Sequence, residues 1–379
     1  TRREGLHLWY YAKYDPSVPT SEMASLLSSC KDIEIIEYSL AAETSDHRRA
    51  ASPAAGAQSV TRAIADEVRN VPFPFNESER SQQMQWHYNN TGNIFAQTSQ
   101  LGADANVYAA WQLSTGNPDV IVAVVDQGVK YDHEDLAANM WVNEAELNGT
   151  PGVDDDGNGY VDDIYGWNFI YSSAYPYGSN KITPVEHGTH VAGTIGAENN
   201  NGKGVCGVAG GRGGHTGVRL ISCQMFTENK SDNGDEVAAL KYGADAGAVI
   251  SQNSWGYTNV YSMPEVTKDA IEYFIKYAGT DENGEQVGPM KGGIVIFAAG
   301  NEERDYMSYP ACYEKVVAVS ALAPDYKKSW YSNFSSWIDV AAPGGTYRTN
   351  GRYSDECAVY STLPGDKYGY MQGTSMACP

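Results

Sequence analysis

The sequence predicts an α/β fold with a mostly parallel central sheet, preceded by a small α+β unit. Two observations support this prediction. After about residue 105, short runs rich in β-branched residues alternate with helical stretches, as a parallel sheet covered on both faces requires. Before residue 41, two strand-like runs flank one amphipathic stretch.

The N-terminal unit is predicted from three consecutive segments. Residues 6–15 and 33–40 are rich in β-forming residues, and residues 19–32 between them have helical periodicity, with Thr20 or Ser21 as the N-cap. The apolar face of this helix comprises Met23, Leu26, Leu27 and Cys30. The Ala- and Ser-rich residues 41–59 that follow are typical of a linker or an exposed loop.

The larger unit is predicted from alternating strands and helices. The predicted strands are 119–126, 218–226, 248–256, 292–301 and 315–322, and the predicted helices include 235–247 and 264–279.

Composition excludes some classes of partner. The 26 basic and 47 acidic residues give a net charge of −21, which disfavours binding to nucleic acid or to anionic membranes, since both require positive patches. No apolar run approaches the ~18 residues of a membrane span. The six cysteines include no CxxC pair and are expected to be buried small hydrophobes, with a Cys206–Cys223 bridge as the alternative.

Four polar residues are placed where chemistry is expected. Asp126 and Asn301 each end a predicted strand, and ligands gather at the carboxyl ends of strands in open α/β sheets. His187 opens a helix of small residues, and Ser375 lies in the small-residue turn "GTSMACP". An imidazole can activate a serine hydroxyl, a buried carboxylate can fix the tautomer of that imidazole, and an asparagine amide can stabilise an oxyanion.

Any one of these residues alone is more often a capping or surface residue than a catalyst, so the prediction depends on their joint occurrence. A lipase-like α/β hydrolase requires GxSxG, which "GTSMA" does not match. A metallohydrolase using His187 and His190 is a second alternative, although no glutamate lies between the two as in HExxH.

Together, "VVDQGV", "HGTHVAG", "FAAGN" and "GTSMACP" resemble the four signature blocks of the subtilisin-like serine peptidases, or subtilases, in the same order. The resemblance covers residues 86–379 and implies a three-layer subtilisin-like fold and a serine endopeptidase that acts on protein or peptide substrates. It further implies that Asp126 orients His187, that His187 is the general base and acid, that Ser375 attacks, and that Asn301 stabilises the oxyanion.

One further segment matches the family in its substrate-binding region, and one residue differs from the family pattern. "SWG", comprising Ser254, Trp255 and Gly256, is similar to the strand that pairs with the substrate backbone and forms a wall of the S1 pocket. The family usually has Ser or Thr after the aspartate, whereas this chain has Gln127. We expect the Gln127 amide to donate the hydrogen bond that the hydroxyl would have given to Asp126.

The acidic insertion between Asp126 and His187 predicts a calcium loop. Oxygen ligands at alternate positions, with Gly159 at the sixth position, match the first half of a calcium-binding loop, although Tyr165 at the twelfth position excludes an EF-hand. A solvated acidic surface loop is the alternative. The predicted calcium ligands are Asp154, Asp156, Asn158, Tyr160, Asp162 and Asp163.

The expected organisation is an incomplete propeptide-like unit at 1–45, a linker or processing region at 46–85 and a peptidase domain at 86–379. The first unit resembles the inhibitory propeptide of subtilases, which implies a zymogen that is secreted or in the cell envelope. In the family, a long helix follows the serine, whereas four residues follow Ser375 here. We therefore expect residues 1–379 alone to be inactive or unstable. A catalytically silent subtilase-fold binding or structural module is the alternative function.

Overall fold

A seven-stranded parallel sheet forms the centre of the structure, which is a computed structural model. The structure describes residues 18–28, 42–44, 71–92, 99–172, 174–228, 234–257, 262–281, 283–349 and 352–379. The strands are β1 (Ala42–Thr44), β2 (Ile121–Gln127), β3 (Gly166–Asn168), β4 (Arg219–Phe226), β5 (Ile250–Asn253), β6 (Trp255–Tyr257), β7 (Ile294–Ala298), β8 (Val317–Leu322), β9 (Val340–Pro343), β10 (Arg348–Thr349), β11 (Arg352–Tyr353), β12 (Val359–Leu363) and β13 (Lys367–Met371). The helices are α1 (Thr20–Ser28), α2 (Glu79–Met84), α3 (Val107–Ala110), α4 (Glu144–Leu147), α5 (Glu186–Gly196), α6 (Glu236–Asp245), α7 (Glu265–Tyr277) and α8 (Thr374–Ala377).

The central sheet has the strand order β3-β4-β2-β5-β7-β8-β9, and all of its strand pairs are parallel. The predicted α/β class is therefore confirmed. The predicted strand 248–256 is wrong as one element, because the chain leaves the sheet at Ser254 and continues as β6 in a separate antiparallel pair with β1. β3 and β9 were not predicted, since three or four residues give too short a pattern.

Helices cover both faces of the sheet and create three layers. Alternate residues of β2 explain why: Ala123 and Val125 pack into the core beneath α6 and α7, whereas Val122 and Val124 pack into the core beneath α5. Successive strand side chains point to opposite faces, so a strand buried on both sides is apolar throughout.

Small residues let α5 approach the sheet closely. A Cβ added to Gly188 would lie 2.0 Å from the carbonyl oxygen of Gln127 at the end of β2, and one added to Gly193 would lie 2.2 Å from Thr362 Oγ1 on β12. Glycine at these two positions therefore brings the helix that begins at Glu186 against the strand end that holds Asp126.

The N-terminal segments are described in part. The helix predicted within 19–32 is confirmed as α1, whereas the predicted strands 6–15 and 33–40 lie outside the described residues. In the predicted linker, Ser78 caps α2 through a hydrogen bond from Ser81 N, and Phe75 packs on Trp111 with ring centroids 4.8 Å apart. The proposed limits of the three domains stay a prediction.

Two expectations from composition have a structural outcome. Cys206 and Cys223 are both free and buried, so the alternative of a bridge between them is wrong and the expectation of buried apolar thiols holds for both. Among the described helices, none has the length and apolar character to cross a bilayer.

Candidate active site

Asp126 and His187 form a buried hydrogen-bonded pair. The final residues of β2 bring Asp126 to the edge of the sheet, and α5 begins one residue before His187. His187 Nδ1 lies 2.7 Å from Asp126 Oδ1, and their side chains are 2% and 0% exposed. Because the carboxylate accepts from Nδ1–H, the neutral imidazole carries its lone pair on Nε2.

Ser375 lies at the start of α8, which contacts α5 and the strands β7, β8 and β9. Its side chain is fully buried, and its hydroxyl donates to Ser254 O at 3.1 Å. In return, the Ser254 hydroxyl donates to Ser375 O at 2.9 Å. This reciprocal pair fixes the position of the serine next to the point where the chain passes from β5 to β6.

Asn301 follows β7 and is held by the residue before Ser375. Its Oδ1 accepts from both Thr374 N and Thr374 Oγ1, each at 2.9 Å. Since the oxygen side of the amide faces Thr374, its NH₂ side points away from Thr374. The Asn333 side chain also holds the turn between β7 and Asn301, because its Nδ2 donates to Ala299 O at 2.8 Å. Sequence reasoning missed Thr374 and Asn333, whose signal is only the small polar character of turn residues.

The three residues of the SWG segment have different surroundings. Trp255 is fully buried, and its ring lies in the core, 5.1 Å from that of Phe297 in an edge-to-face contact. Gly256 has no side chain, and a Cβ there would lie 3.3 Å from Tyr309 O. Ser254 is the member of the segment that contacts Ser375 directly.

The side chain of Gln127 does not take the role expected for it. Its Nε2 donates to Thr227 O at 3.0 Å, while its backbone N–H donates to Asp126 Oδ1 at 2.6 Å. Asp126 Oδ2 is buried and has no hydrogen-bond partner among the described residues. The Gln127 side chain therefore bridges to Thr227, the residue after β4.

The other two histidines of the motif regions have structural contacts. His190 Nε2 lies 3.0 Å from Val359 O on β12, and burial, with a smaller contribution from the nearby His187, lowers the pKa of His190 to about 3. His133 lies between Lys367 O and Asp135 N. Because His187 and His190 are bound to different elements, the geometry disfavours the metallohydrolase alternative.

The acidic insertion brings together three carboxylates. One carboxylate oxygen from each of Glu146, Asp154 and Asp156 lies within 4.8 Å of the other two. Exposed acidic side chains also cluster in this way in proteins that bind no ion there. Two of the three residues were predicted as ligands. Glu146, on α4, was missed because it precedes the alternating pattern that signalled the loop.

The remaining predicted ligands have other contacts in the structure. Asp163 is buried and accepts from Tyr242 Oη at 2.7 Å, and burial raises the pKa of its carboxyl group. The Tyr160 ring packs on Tyr242 and Trp167, and Asp162 accepts from Gly152 N. Asn158 Oδ1 accepts from Tyr160 N, and its Nδ2 donates to Asp156 and Asp163.

Comparison with known protein families matches the larger part of the chain to one of them. The model of the subtilase family matches residues 117–379, a span that includes Asp126, His187, Asn301 and Ser375. The chain belongs to the subtilase family. The resemblance in the four sequence blocks is therefore confirmed as membership, and the subtilisin-like fold with it.

Similar proteins include serine proteases from archaea and bacteria. The chain is 34% identical over 275 residues to halolysin of Haloferax mediterranei and 30% identical over 271 residues to a thermophilic serine proteinase of Bacillus sp., covering 72% and 71% of this chain. These matches span 42% and 52% of the two relatives' own lengths. A solved protease structure from Pseudoalteromonas arctica is 26% identical, has a TM-score of 0.54, and the match covers 80% of this chain and 83% of that one.

Proposed function

We propose that the protein is a serine endopeptidase in which Asp126, His187 and Ser375 form the catalytic triad and Asn301 donates to the oxyanion. The observation that carries this proposal is the buried hydrogen bond of 2.7 Å between Asp126 and His187. A buried carboxylate next to an imidazole is costly to desolvate, and a triad makes use of that arrangement because the imidazole becomes charged during the reaction.

In the proposed mechanism, Nε2 of His187 removes the proton of Ser375 Oγ as the oxygen attacks the carbonyl carbon of the scissile bond. Asp126 holds the ring in the tautomer with the proton on Nδ1 and stabilises the imidazolium. His187 then donates the proton to the leaving amine. A water molecule repeats the sequence on the acyl-enzyme and releases the acid and Ser375.

Asn301 is the proposed side-chain donor to the oxyanion. Because Thr374 occupies the oxygen of the amide through two hydrogen bonds, the orientation of its NH₂ group is fixed before substrate arrives. A donor fixed in advance requires no reorganisation as charge develops on the carbonyl oxygen, which is the source of its effect on rate.

Calcium is the proposed structural cofactor of the acidic insertion. Glu146, Asp154 and Asp156 would hold it, since calcium takes hard oxygen ligands such as carboxylates, and bound calcium would offset repulsion within the loop. Asn158 would join them only after its amide turned, because Nδ2 now faces the carboxylates of Asp156 and Asp163.

A zymogen is the proposed form in which the protein is made, with its own N-terminal segment as an intramolecular inhibitor. β1 supports this proposal because it pairs with β6, the strand proposed to bind substrate backbone. Secretion or a cell-envelope location is proposed as well, since a relative from Natrialba magadii, 31% identical and named an extracellular serine protease, matches 72% of this chain.

Hydrolysis of an internally quenched peptide by the full-length protein tests the proposal. His187→Gln should abolish hydrolysis, whereas His215→Gln, at an exposed histidine, should leave it unchanged. Undiminished hydrolysis by the His187→Gln variant would contradict the proposed chemistry. No hydrolysis by the wild type or by the His215→Gln variant would favour the silent binding module. The presence of the complete Asp, His, Ser and Asn set argues against that alternative.

A further inference from the structure

The face of β6 that points into the core carries two aromatic side chains. Successive residues of a strand point to opposite faces, so Trp255 and Tyr257 share one face and Gly256 lies on the other. Both rings are buried in the core that α6 and α7 cover, and their centroids lie 6.0 Å apart. The aromatic face of β6 is therefore turned toward these two helices.

The Tyr257 ring is anchored at its hydroxyl group. Oη donates to Glu236 Oε1 at 2.9 Å, and Thr267 Oγ1 lies 2.9 Å from the same hydroxyl and donates to Glu236 Oε1 at 3.2 Å. All three side chains are buried, with Glu236 on α6 and Thr267 on α7. Burial raises the pKa of Glu236, and loss of a donor to a buried carboxyl group is costly. This network therefore holds the ring in one position.

The anchored ring lies toward one edge of β6. Tyr257 N donates to Tyr309 O at 2.9 Å, so the segment between β7 and β8 lies at one edge of β6, and β1 pairs with the other edge. β5, which leads into β6, lies between β2 and β7 in the sheet. Because α6 packs on β2 and β4 whereas α7 packs on β7, the bond to Glu236 directs the ring away from Tyr309 and toward the edge that β1 occupies.

A substrate that took the place of β1 would have a defined residue opposite Tyr257. The antiparallel register places one residue opposite each of Trp255, Gly256 and Tyr257, and each step forward along the paired strand is one step back along β6. Ser254 precedes Trp255, and its carbonyl oxygen lies 3.1 Å from Ser375 Oγ. The substrate residue opposite Ser254 would supply the scissile carbonyl, and the residue opposite Tyr257 would be the fourth before the cleaved bond, or P4.

We propose that Tyr257 determines substrate specificity by restricting P4 to a small side chain, such as that of alanine or serine, or to glycine. This inference rests on the proposed peptidase function and names a substrate class for that site. Directly opposed residues of an antiparallel pair have Cβ atoms about 5 Å apart and point to the same face. A large P4 side chain would therefore meet the Tyr257 ring, which can move aside only by breaking its hydrogen bonds to Glu236 and Thr267.

Internally quenched peptides that differ only at P4 test the proposal in the full-length wild type, with the cleaved bond located by mass spectrometry. The kcat/KM with alanine at P4 should exceed that with phenylalanine by at least about 10-fold, because overfilling a packed site is unfavourable. Equal values, or a preference for phenylalanine, would overturn the proposal and leave the peptidase function intact. No hydrolysis of any peptide would overturn both.

Removing the ring assigns the selectivity to Tyr257. Tyr257→Ala should reduce the ratio of the two kcat/KM values to about 1, since the site then has room for the larger side chain. Tyr326→Ala, at a partly exposed tyrosine on the turn after β8, is the matched control and should keep the wild-type ratio. A wild-type ratio in Tyr257→Ala would overturn the proposal.

Fluorophosphonate labelling controls for folding of the variants. If Tyr257→Ala is not labelled, Tyr257→Leu replaces it, because leucine leaves a smaller cavity. The ratio in Tyr257→Leu should then fall below that of the wild type, and an unchanged ratio would again overturn the proposal.

Discussion

The candidate catalytic site and the acidic insertion are built in opposite ways. The site joins distant parts of the chain: His187 and Asp126 are 61 residues apart, and Ser375 and Ser254 are 121 apart. The acidic loop is largely local, with Glu146 accepting from Asp155 N nine residues away and from Asp162 N sixteen residues away. Only the folded sheet can assemble the first, whereas the second depends largely on contacts within its own segment.

The two regions also differ in how their carboxylates are satisfied. In the loop, both oxygens of Asp154 accept backbone N–H groups, from Gly157, Asn158 and Gly159. In the site, Asp126 Oδ1 has two donors and Oδ2 has none among the described residues. The carboxylate of Asp154 is thus satisfied by its own segment, whereas that of Asp126 accepts from His187 and from the adjacent backbone on one oxygen alone.

The largest effect should come from the proposed nucleophile. Ser375→Ala should reduce kcat by about 10⁶-fold, because the variant lacks the hydroxyl that is proposed to form the acyl-enzyme. Ser114→Ala, at an exposed serine, is the matched control and should be unaffected. Rates on a chromogenic peptide measure both variants. Retention of more than a hundredth of the wild-type rate by the first would show that the distant residues do not act as one unit.

The next effect should come from the orienting carboxylate. Asp126→Asn should lower kcat by about 10⁴-fold, since an amide at this position favours the wrong tautomer of His187. Asp132→Asn, on the loop after β2, replaces an aspartate that pairs with Lys130 on the surface and should leave kcat unchanged. Equal losses of kcat in the two variants would mean that removing any negative charge near the site lowers the rate, and that Asp126 has no specific role.

A smaller loss should follow removal of the oxyanion donor. Asn301→Ala should reduce kcat by about 10²- to 10³-fold with little change in KM, because the amide binds the transition state and not the ground state. Thr374→Ser, which keeps both hydrogen bonds to Asn301 Oδ1, should behave like wild type. A rise in KM at constant kcat would instead assign Asn301 to substrate binding.

The acidic loop should respond to calcium rather than to substrate. Calcium at 100 times its Kd should add about 2.7 kcal/mol to the free energy of unfolding, which raises the melting temperature by several degrees. Asp154→Asn and Glu146→Gln should each reduce this shift, and Asp325→Asn, which removes a partner of Lys327, should not. No shift in wild type at millimolar calcium would exclude a calcium site in the loop.

The last effect concerns pH and His87, a buried histidine. Burial lowers the pKa of His87 to about 3, so the unfolded chain, with an ordinary histidine pKa of 6.5, binds the proton first as pH falls. His87 therefore destabilises the fold by about 1.4 kcal/mol for each pH unit below about 6.5, down to about 3. Asp135 acts in the opposite direction, since burial raises its pKa to about 7.

Chemical denaturation at several pH values isolates the contribution of His87. Subtracting the His87→Phe curve from that of wild type should leave a slope between pH 6.5 and 3, and the subtraction cancels the slope due to Asp135. Parallel curves for wild type and His87→Phe would show that burial does not hold this ring neutral.

The two regions also show what sequence can predict. Asp126, His187, Asn301 and Ser375 were predicted although they are far apart, because each lies in a recognisable block at the end of a strand or the start of a helix. The hydrogen bonds around these residues were not predicted, because they depend on loop conformation. They join Thr374 to Asn301, Ser254 to Ser375 and Gln127 to Thr227. In the loop, period-two spacing predicted Asp154 and Asp156 but not Glu146, which lies on the preceding helix.

Fluorophosphonate labelling of the full-length protein tests the central claim most directly, because the reagent reacts with a serine only where an imidazole activates it and donors stabilise the adduct. The account predicts stoichiometric labelling that mass spectrometry locates at Ser375, and its loss in the Ser375→Ala and His187→Gln variants. A folded wild-type protein that stays unlabelled, or a label on another serine, would contradict it.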